Sequence, residues 1–206
     1  MHITTERLII RRFTKQDADA LYAIKYDEQV LKYSPDFIKR DATITDIKEA
    51  IANDDGTLYA ICLKDSGGAI GAITVSRLDY LYETQIGWKI RSEYTGQGYA
   101  SEAGAAASDE LLEALRLDYI VAVMDVDNPA SFRTAQRSGF RLFEKRVPYD
   151  YHYSTCNAED HGEVQEHFAA KQAEIGSCYY YFRKYNKNSQ TAYRFYGDAR
   201  YEGRFS

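Results

Sequence analysis

A chain of 206 residues can build one full hydrophobic core and is short for two. Apolar residues at 45% and charged residues at 28% exclude a disordered chain. A net charge of −5 argues against a protein that tracks nucleic-acid phosphates, and no apolar run is long enough to span a bilayer.

Met1 to Glu6 has no basic stretch leading into an apolar one, so no secretory signal is expected. Cys62, Cys156 and Cys178 are scattered and odd in number, which fits free thiols in a reducing cytoplasm better than a disulfide framework. His2, His152, His161 and His167 show no metal-type spacing. Cys156 and His161 are near neighbours, but a closed zinc site needs four ligands, so no metal is expected.

In chain order, Thr5 to Phe13 reads as a strand. Thr14 reads as a helix cap, with Asp17 favouring the positive helix end. Ala18, Leu21 and Tyr22 then form the apolar stripe of a first helix. A second helix is predicted from Thr43 to Asn53, with Ile44, Ile47 and Ile51 on one face and a turn at Asp54-Asp55-Gly56. Three strands follow, at Leu58–Lys64, Ala69–Leu78 and Thr84–Arg91, the first two joined by Ser66-Gly67-Gly68. Gly71 and Gly87 interrupt their strands and mark bulges or close backbone approach.

From Tyr99 to Leu115 the pattern is helical, and its Ala-rich face suits close packing on a sheet. Asp118–Asp125 holds an unbroken apolar run, as in a strand buried on both faces. Asn128-Pro129 opens a further helix and Gly139 suits the residue past its end. Phe140–Arg146 is the next strand. After Val147 tyrosines crowd the sequence, a polar helix is expected over Ala158–Glu174, and Cys178–Lys184 reads as a final strand. The order implies a single α/β (α+β) domain. A mixed sheet of about seven strands, antiparallel at first and parallel where strand and helix alternate, is flanked by helices. The core is expected over residues 1–146, with 147–206 as its C-terminal elaboration.

The segment most informative about chemistry is the third of those strands running through Ser92-Glu93-Tyr94-Thr95 into Gly96-Gln97-Gly98-Tyr99-Ala100. A glycine loop that opens a helix offers successive backbone N–H groups at a positive dipole end, and so binds phosphate without lysines. A dinucleotide-binding turn expects a third glycine where Ser101 stands, and a P-loop expects Gly-Lys-Ser or Gly-Lys-Thr. Asn128-Pro129-Ala130-Ser131, closed by Gly139-Phe140, is the second segment. Read alone, Asn128 is a cap and Ser131 an ordinary first-turn residue.

Together the two segments resemble the GNAT superfamily of N-acetyltransferases, and within it the branch of ribosomal-protein N-terminal acetyltransferases of the RimJ/RimL type. Three stretches carry the likeness: Thr5-Glu6-Arg7-Leu8-Ile9-Ile10-Arg11 with Asp17-Ala18; Gly96 through Ala103; and Asn128-x-x-Ser131 through Gly139-Phe140. The likeness spans roughly residues 5–144. Two positions depart from it: Thr95 stands where the branch often has Trp, and Gln85 where an acidic residue is common.

The resemblance implies direct transfer of acetyl from acetyl-CoA (coenzyme A) to an amine while both are bound, in a sheet splayed at the cofactor. It implies cofactor contacts from Trp88 and Ile90, from Thr95, Gly96, Gln97, Gly98, Tyr99 and Ala100, and from Asn128 and Ser131. Backbone N–H groups around Trp88 would hold the thioester oxygen. The Ser131 hydroxyl would donate to the leaving sulfur, whose thiol pKa is ~8.5. Asn128 would meet the pantetheine arm or cap its helix.

Glu83, two residues before Gln85 and on the same strand face, is the candidate general base, with a water relay as the alternative. The acceptor is expected across the sheet, near Tyr149, Tyr151, Tyr153 and the final strand. The acidic balance leans toward a cationic amine acceptor, small molecule or protein N-terminus. Dimers are common in the branch, so a homodimer is an assembly open to it. A non-catalytic acyl-CoA-binding module is the competing reading, and Gln85 is its support.

Overall fold

The structure, a computed structural model, describes residues 1–33, 42–78, 83–146 and 179–188. Its strands are β1 (Ile3–Thr4), β2 (Leu8–Arg12), β3 (Leu58–Leu63), β4 (Ala69–Leu78), β5 (Glu83–Ile90), β6 (Tyr119–Asp125), β7 (Arg141–Arg146) and β8 (Tyr179–Tyr185). Its helices are α1 (Ala18–Lys25), α2 (Glu28–Tyr33), α3 (Ile44–Asn53), α4 (Tyr99–Ala114) and α5 (Pro129–Arg137). They form one mixed sheet in the order β1-β2-β3-β4-β5-β6-β8-β7, covered by helices on both faces.

Local chemistry sets the element ends. The Asp17 carboxylate accepts the Thr14 N–H and hydroxyl at 2.8 and 2.7 Å, and the chain then enters α1 through a short 3-10 turn. Asp46 and Thr43 form a capping box at α3. The Asn128 side chain accepts the Ser131 N–H at 3.0 Å, which makes it the cap of α5. Gly139, just past that helix, takes a φ of +87°.

One face of the sheet packs Ile10, Ile61, Ile73, Ile86, Ile120 and Phe182 against α4 and α5. The other packs Ala60, Cys62 and Ala72 against α1 and α3. The small residues on that second face let the two helices lie close. The buried Lys184 side chain docks β8 on α4, donating to Ser108 Oγ at 2.8 Å and pairing with Asp109 at 2.8 Å.

The structure adds three details to the expected order. Among the described residues the sheet has eight strands, against about seven expected, because β1 is two residues long and leaves no periodic signal. The six-residue α2 is likewise too short for its pattern to stand out. β6 and β7 run the same way but are not neighbours, since β8 inserts antiparallel between them. Among the described residues, only β5 and β6 form a parallel pair. Tyr149, Tyr151, Tyr153, Cys156, Cys178, the three later histidines and the helix expected over Ala158–Glu174 lie outside the described residues.

At the head of β5, Glu83 is buried and joins three strands. Its Oε1 accepts from Arg183 Nη2 on β8 at 2.7 Å and from the Tyr119 hydroxyl on β6 at 2.8 Å. The Arg183 guanidinium sits 3.7 Å from the Phe143 ring centroid and 4.4 Å from that of Tyr119. With side-chain exposures of 15% and 6%, Arg183 and Glu83 form a desolvated pair. Arg183→Met should therefore cost about 3–5 kcal/mol, by stranding a buried carboxylate, whereas Arg183→Met with Glu83→Leu should recover most of that loss. Urea unfolding measures both, and a single-variant cost below about 1 kcal/mol would contradict the pairing.

Candidate active site

Beyond Glu83 the two parallel strands part. β4 and β5 are paired along their whole overlap, from Gly71↔Ile90 to Leu78↔Glu83, and β6 is paired with β8 from Tyr119 to Asp125. Between β5 and β6, among the described residues, the ladder holds one register pair, Gln85↔Val121. The edge of β5 that carries Trp88 and Ile90 thus diverges from the edge of β6 that carries Val123 and Asp125. Backbone N–H and C=O groups lining such a gap seek partners, and an extended amide-bearing ligand can supply them as an added strand would.

Both helices that follow these strands begin at the open end of the gap. At the first, Gly96 and Gly98 take φ of +77° and +83°, in the left-handed region that glycine tolerates. A Cβ on Gly96 would meet open space, so backbone conformation and not crowding requires that glycine. Gly98 caps α4 without a side chain, and the first bond of the helix is donated by the Glu102 N–H to the Gly98 carbonyl at 3.0 Å. The amides of Tyr99, Ala100 and Ser101 precede that bond, at the positive end of a 16-residue helix.

The loop is braced from a distance. Arg7 Nη1 donates to the Gln97 carbonyl at 2.9 Å, and its guanidinium lies 4.6 Å from the Tyr99 ring centroid. Glu102 holds Arg7 in place: its Oε2 accepts from Arg7 Nε at 2.7 Å, and its Oε1 from the Arg7 N–H at 2.9 Å and the Thr5 hydroxyl at 2.6 Å. Burial alone would raise the Glu102 pKa; the bonds from Thr5 and Arg7 outweigh it and bring it below the ordinary glutamate value. At the start of the loop, Asp27 accepts the Ser92 N–H and hydroxyl, both at 2.8 Å. Thr95 Oγ donates to the Ser92 carbonyl at 2.8 Å.

The second helix, α5, puts Asn128 and Ser131 in its first turn beside the end of β6. Trp88 lies edge-to-face with Phe140, centroids 6.0 Å apart, and packs against α4 at Gly104. A Cβ on Gly104 would fall 2.8 Å from Ser138 Oγ and 3.3 Å from the Trp88 ring, so this glycine lets β5, α4 and the end of α5 converge.

Strand alternation turns Lys89, next to Trp88, to the opposite face. There it joins Lys25 of α1 in lining a cleft of about 770 Å³ between α1, α3 and strands β3 to β5. Burial, and then repulsion from Lys25, lower the Lys89 pKa to about 8.

Residues 7–141 match the family model described as acetyltransferase (GNAT) domain. The chain belongs to the GNAT acetyltransferase family. The uncharacterized N-acetyltransferase YnaD of Bacillus subtilis (strain 168) is 29% identical over 168 residues, 77% of this chain and 99% of that protein. A GNAT-family acetyltransferase from Bacillus anthracis superposes with a TM-score of 0.68 at 24% identity, over 90% of this chain and 98% of its own. The ribosomal-protein-S5-alanine acetyltransferase of Vibrio fischeri gives 0.67 at 15% identity, over 93% and 100%. At those identities the two structures establish the GNAT fold.

Within this GNAT domain, Trp88, Ile90, the Thr95–Ala100 loop, Asn128 and Ser131 gather around the open end of the gap. Glu83 stands apart, at the closed end, locked to Arg183 and Tyr119. Three contributors escaped sequence reasoning. Arg7 and Glu102 both stood inside recognised segments, but nothing local joins residues so far apart. Lys89 gave no signal, because its neighbourhood is made by α1.

Glu102→Gln should weaken folding by about 1 kcal/mol near neutral pH, a charged hydrogen-bond loss discounted because Arg7 is partly exposed. Because the folded pKa of Glu102 is lowered, its contribution is complete above the unfolded value of about 4.3 and is lost as pH falls through the folded one. The difference between wild type and variant should be flat above about pH 5 and vanish in acid. Paired urea titrations across pH check this, and a difference that grows in acid would refute it.

Proposed function

We propose that this chain is an acetyl-CoA-dependent N-acetyltransferase that moves acetyl directly to a primary amine in a ternary complex. The single observation that carries the reading is the gap between β5 and β6, which opens toward the two helix starts. A pantetheine arm has amides spaced to bond strand edges, and a pyrophosphate suits the free amides after Gly98. The Trp88 backbone N–H would steady the thioester oxygen as it gains charge. Ser131 would donate to the departing sulfur, with Asn128 fixing its turn.

The attacking amine must lose a proton. Gln85 sits at the vertex of the gap and cannot accept one, and Glu83 is held in its ion pair, so a water relay is the better supported route. We place the acceptor on the face opposite α4, where Lys89 and Tyr181 project, and the chain in the RimJ/RimL-like branch on its motifs. A cytoplasmic protein working as a monomer or homodimer fits the scattered thiols and the branch. The same Gln85 and Glu83 observations favour, as a second reading, an acyl-CoA-binding module without catalysis.

Calorimetric titration with acetyl-CoA, against NAD and ATP, should give binding by acetyl-CoA alone. Gly98→Val should abolish that binding, because valine cannot readily hold a φ of +83° and its side chain would cover the amides. Absence of binding by folded wild-type protein would sink the enzyme reading. Thiol release with an amine panel separates the two readings: Ser131→Ala should lower kcat about tenfold with little change in KM, and no release with any amine would leave the binding module.

A further inference from the structure

The peptide between Gln97 and Gly98 has two orientations open to it. Glycines stand on both sides of Gln97, with φ of +77° at Gly96 and +83° at Gly98. At Gly98, a φ of 83° with a ψ of 0° matches the third residue of a type II turn. Turning over the preceding peptide gives type I values there, about −90° and 0°. Glycine adopts either pair without steric cost, so local sterics do not choose between them. The carbonyl and the N–H of a trans peptide point opposite ways. Whichever of the two faces Arg7, the other faces away from it.

Arg7 makes the choice. Its Nη1 donates to the Gln97 carbonyl at 2.9 Å, which draws that oxygen to the Arg7 side and turns the Gly98 N–H to the other. The same guanidinium lies 4.6 Å from the Tyr99 ring centroid, so one group holds both neighbours of Gly98. It is fixed from behind. Glu102 Oε2 accepts from Nε at 2.7 Å and lies 2.7 Å from Nη2. The backbone of Arg7 is anchored as well: its carbonyl accepts the Lys64 N–H at 2.9 Å, and its N–H donates to Glu102 Oε1 at 2.9 Å. The Arg7 side chain is 43% exposed, so the ion pair is screened and adds little stability for its charge alone. What the pair supplies is a fixed direction for one loop peptide.

We propose that Arg7 is a positioning residue for the cofactor: it locks the Gln97–Gly98 peptide so that an N–H, and not a carbonyl oxygen, faces the pyrophosphate. The pyrophosphate rests on the acetyltransferase reading, and the lock rests on the geometry of the loop. With the peptide turned over, an oxygen bearing partial negative charge would meet the phosphates in place of a donor. Arg7 acts through that peptide and not through its charge, which Glu102 offsets.

The lock is tested without ligand. Gln-Gly occurs once in the sequence, so 13C-glutamine with 15N-glycine gives one NMR correlation from the Gly98 amide to the Gln97 carbons. The Gln97 Cα and Cβ shifts report its ψ, which differs by about 150° between the two turn types. Wild type should show extended-type shifts, and Arg7→Met should move them toward helical values. Extended-type shifts that persist in Arg7→Met would overturn the lock.

Cofactor binding is then measured by calorimetry on variants that keep a cooperative urea transition. Arg7→Met should weaken acetyl-CoA binding about tenfold, the loss of one oriented donor to a charged group. S-acetylpantetheine has the thioester and both amides but no phosphate, and its binding, followed by NMR, should be unchanged. An equal loss for both ligands would mark general disorder of the site and refute the proposal. Glu102→Gln separates position from charge. It removes an anion beside the loop, so a direct Arg7–phosphate contact predicts tighter acetyl-CoA binding, whereas positioning predicts weaker. Tighter binding would therefore overturn the assignment. No acetyl-CoA binding by folded wild type would overturn the acetyltransferase reading, and with it the role of Arg7 toward a cofactor, whatever the Gln97 shifts show.

Discussion

The parting of β5 from β6 is the constraint on which the rest depends. Parallel strands in a continuous sheet satisfy one another's backbone groups. Here that pairing is confined to Gln85 and Val121, while both strands stay fully engaged on their other sides with β4 and β8. The gap is therefore held open by its flanks. Its closed end is fixed by Glu83, which ties β5 to β6 through Tyr119 and to β8 through Arg183. A buried ion pair between strands adds little net stability but is costly to break on one side. That asymmetry suits a vertex that must hold its position.

From the vertex outward, each element at the open end has a separate support. The glycine loop is held at its start by Asp27 on Ser92, and at its middle by Arg7 on the Gln97 carbonyl. Arg7 is in turn fixed by Glu102, one turn into the helix that the loop opens. A loop with two glycines at positive φ has many conformations when unfolded, and ordering it costs entropy. External braces hold it in one conformation, so that the cost of ordering it falls on folding. Trp88, Phe140 and Gly104 do the same for the spacing between the two helix starts.

The two faces of the sheet have different surroundings. On one face the apolar side chains of β5 bind it to α4 and α5. On the other, alternate residues of the same strand, with Lys89 among them, look toward α1 and α3 across a partly open cleft. One strand thus presents backbone groups along the gap on its edge and side chains to the cleft on its face. The period of two keeps the two within a residue of each other.

Sequence by itself determined most of the elements, because their signals are local. The Asn128 cap, Gly139, the isoleucine stripe of α3, and the apolar run of β6 all act within a few residues, and the structure reproduces each. The family was legible too, since its motifs are runs of adjacent residues around Gly96–Gly98 and Asn128–Ser131. Tertiary structure alone decided the position of β8 between β6 and β7, the pairing of Glu83 with Arg183, the Arg7–Glu102 brace, and the meeting of Lys89 with Lys25. Each joins residues far apart in the chain, and a sequence pattern records which residues favour a turn or a face but not which distant partner packing will bring to it. Glu83 illustrates the difference: strand period predicts its face, but only the arrival of β8 makes it half of an ion pair.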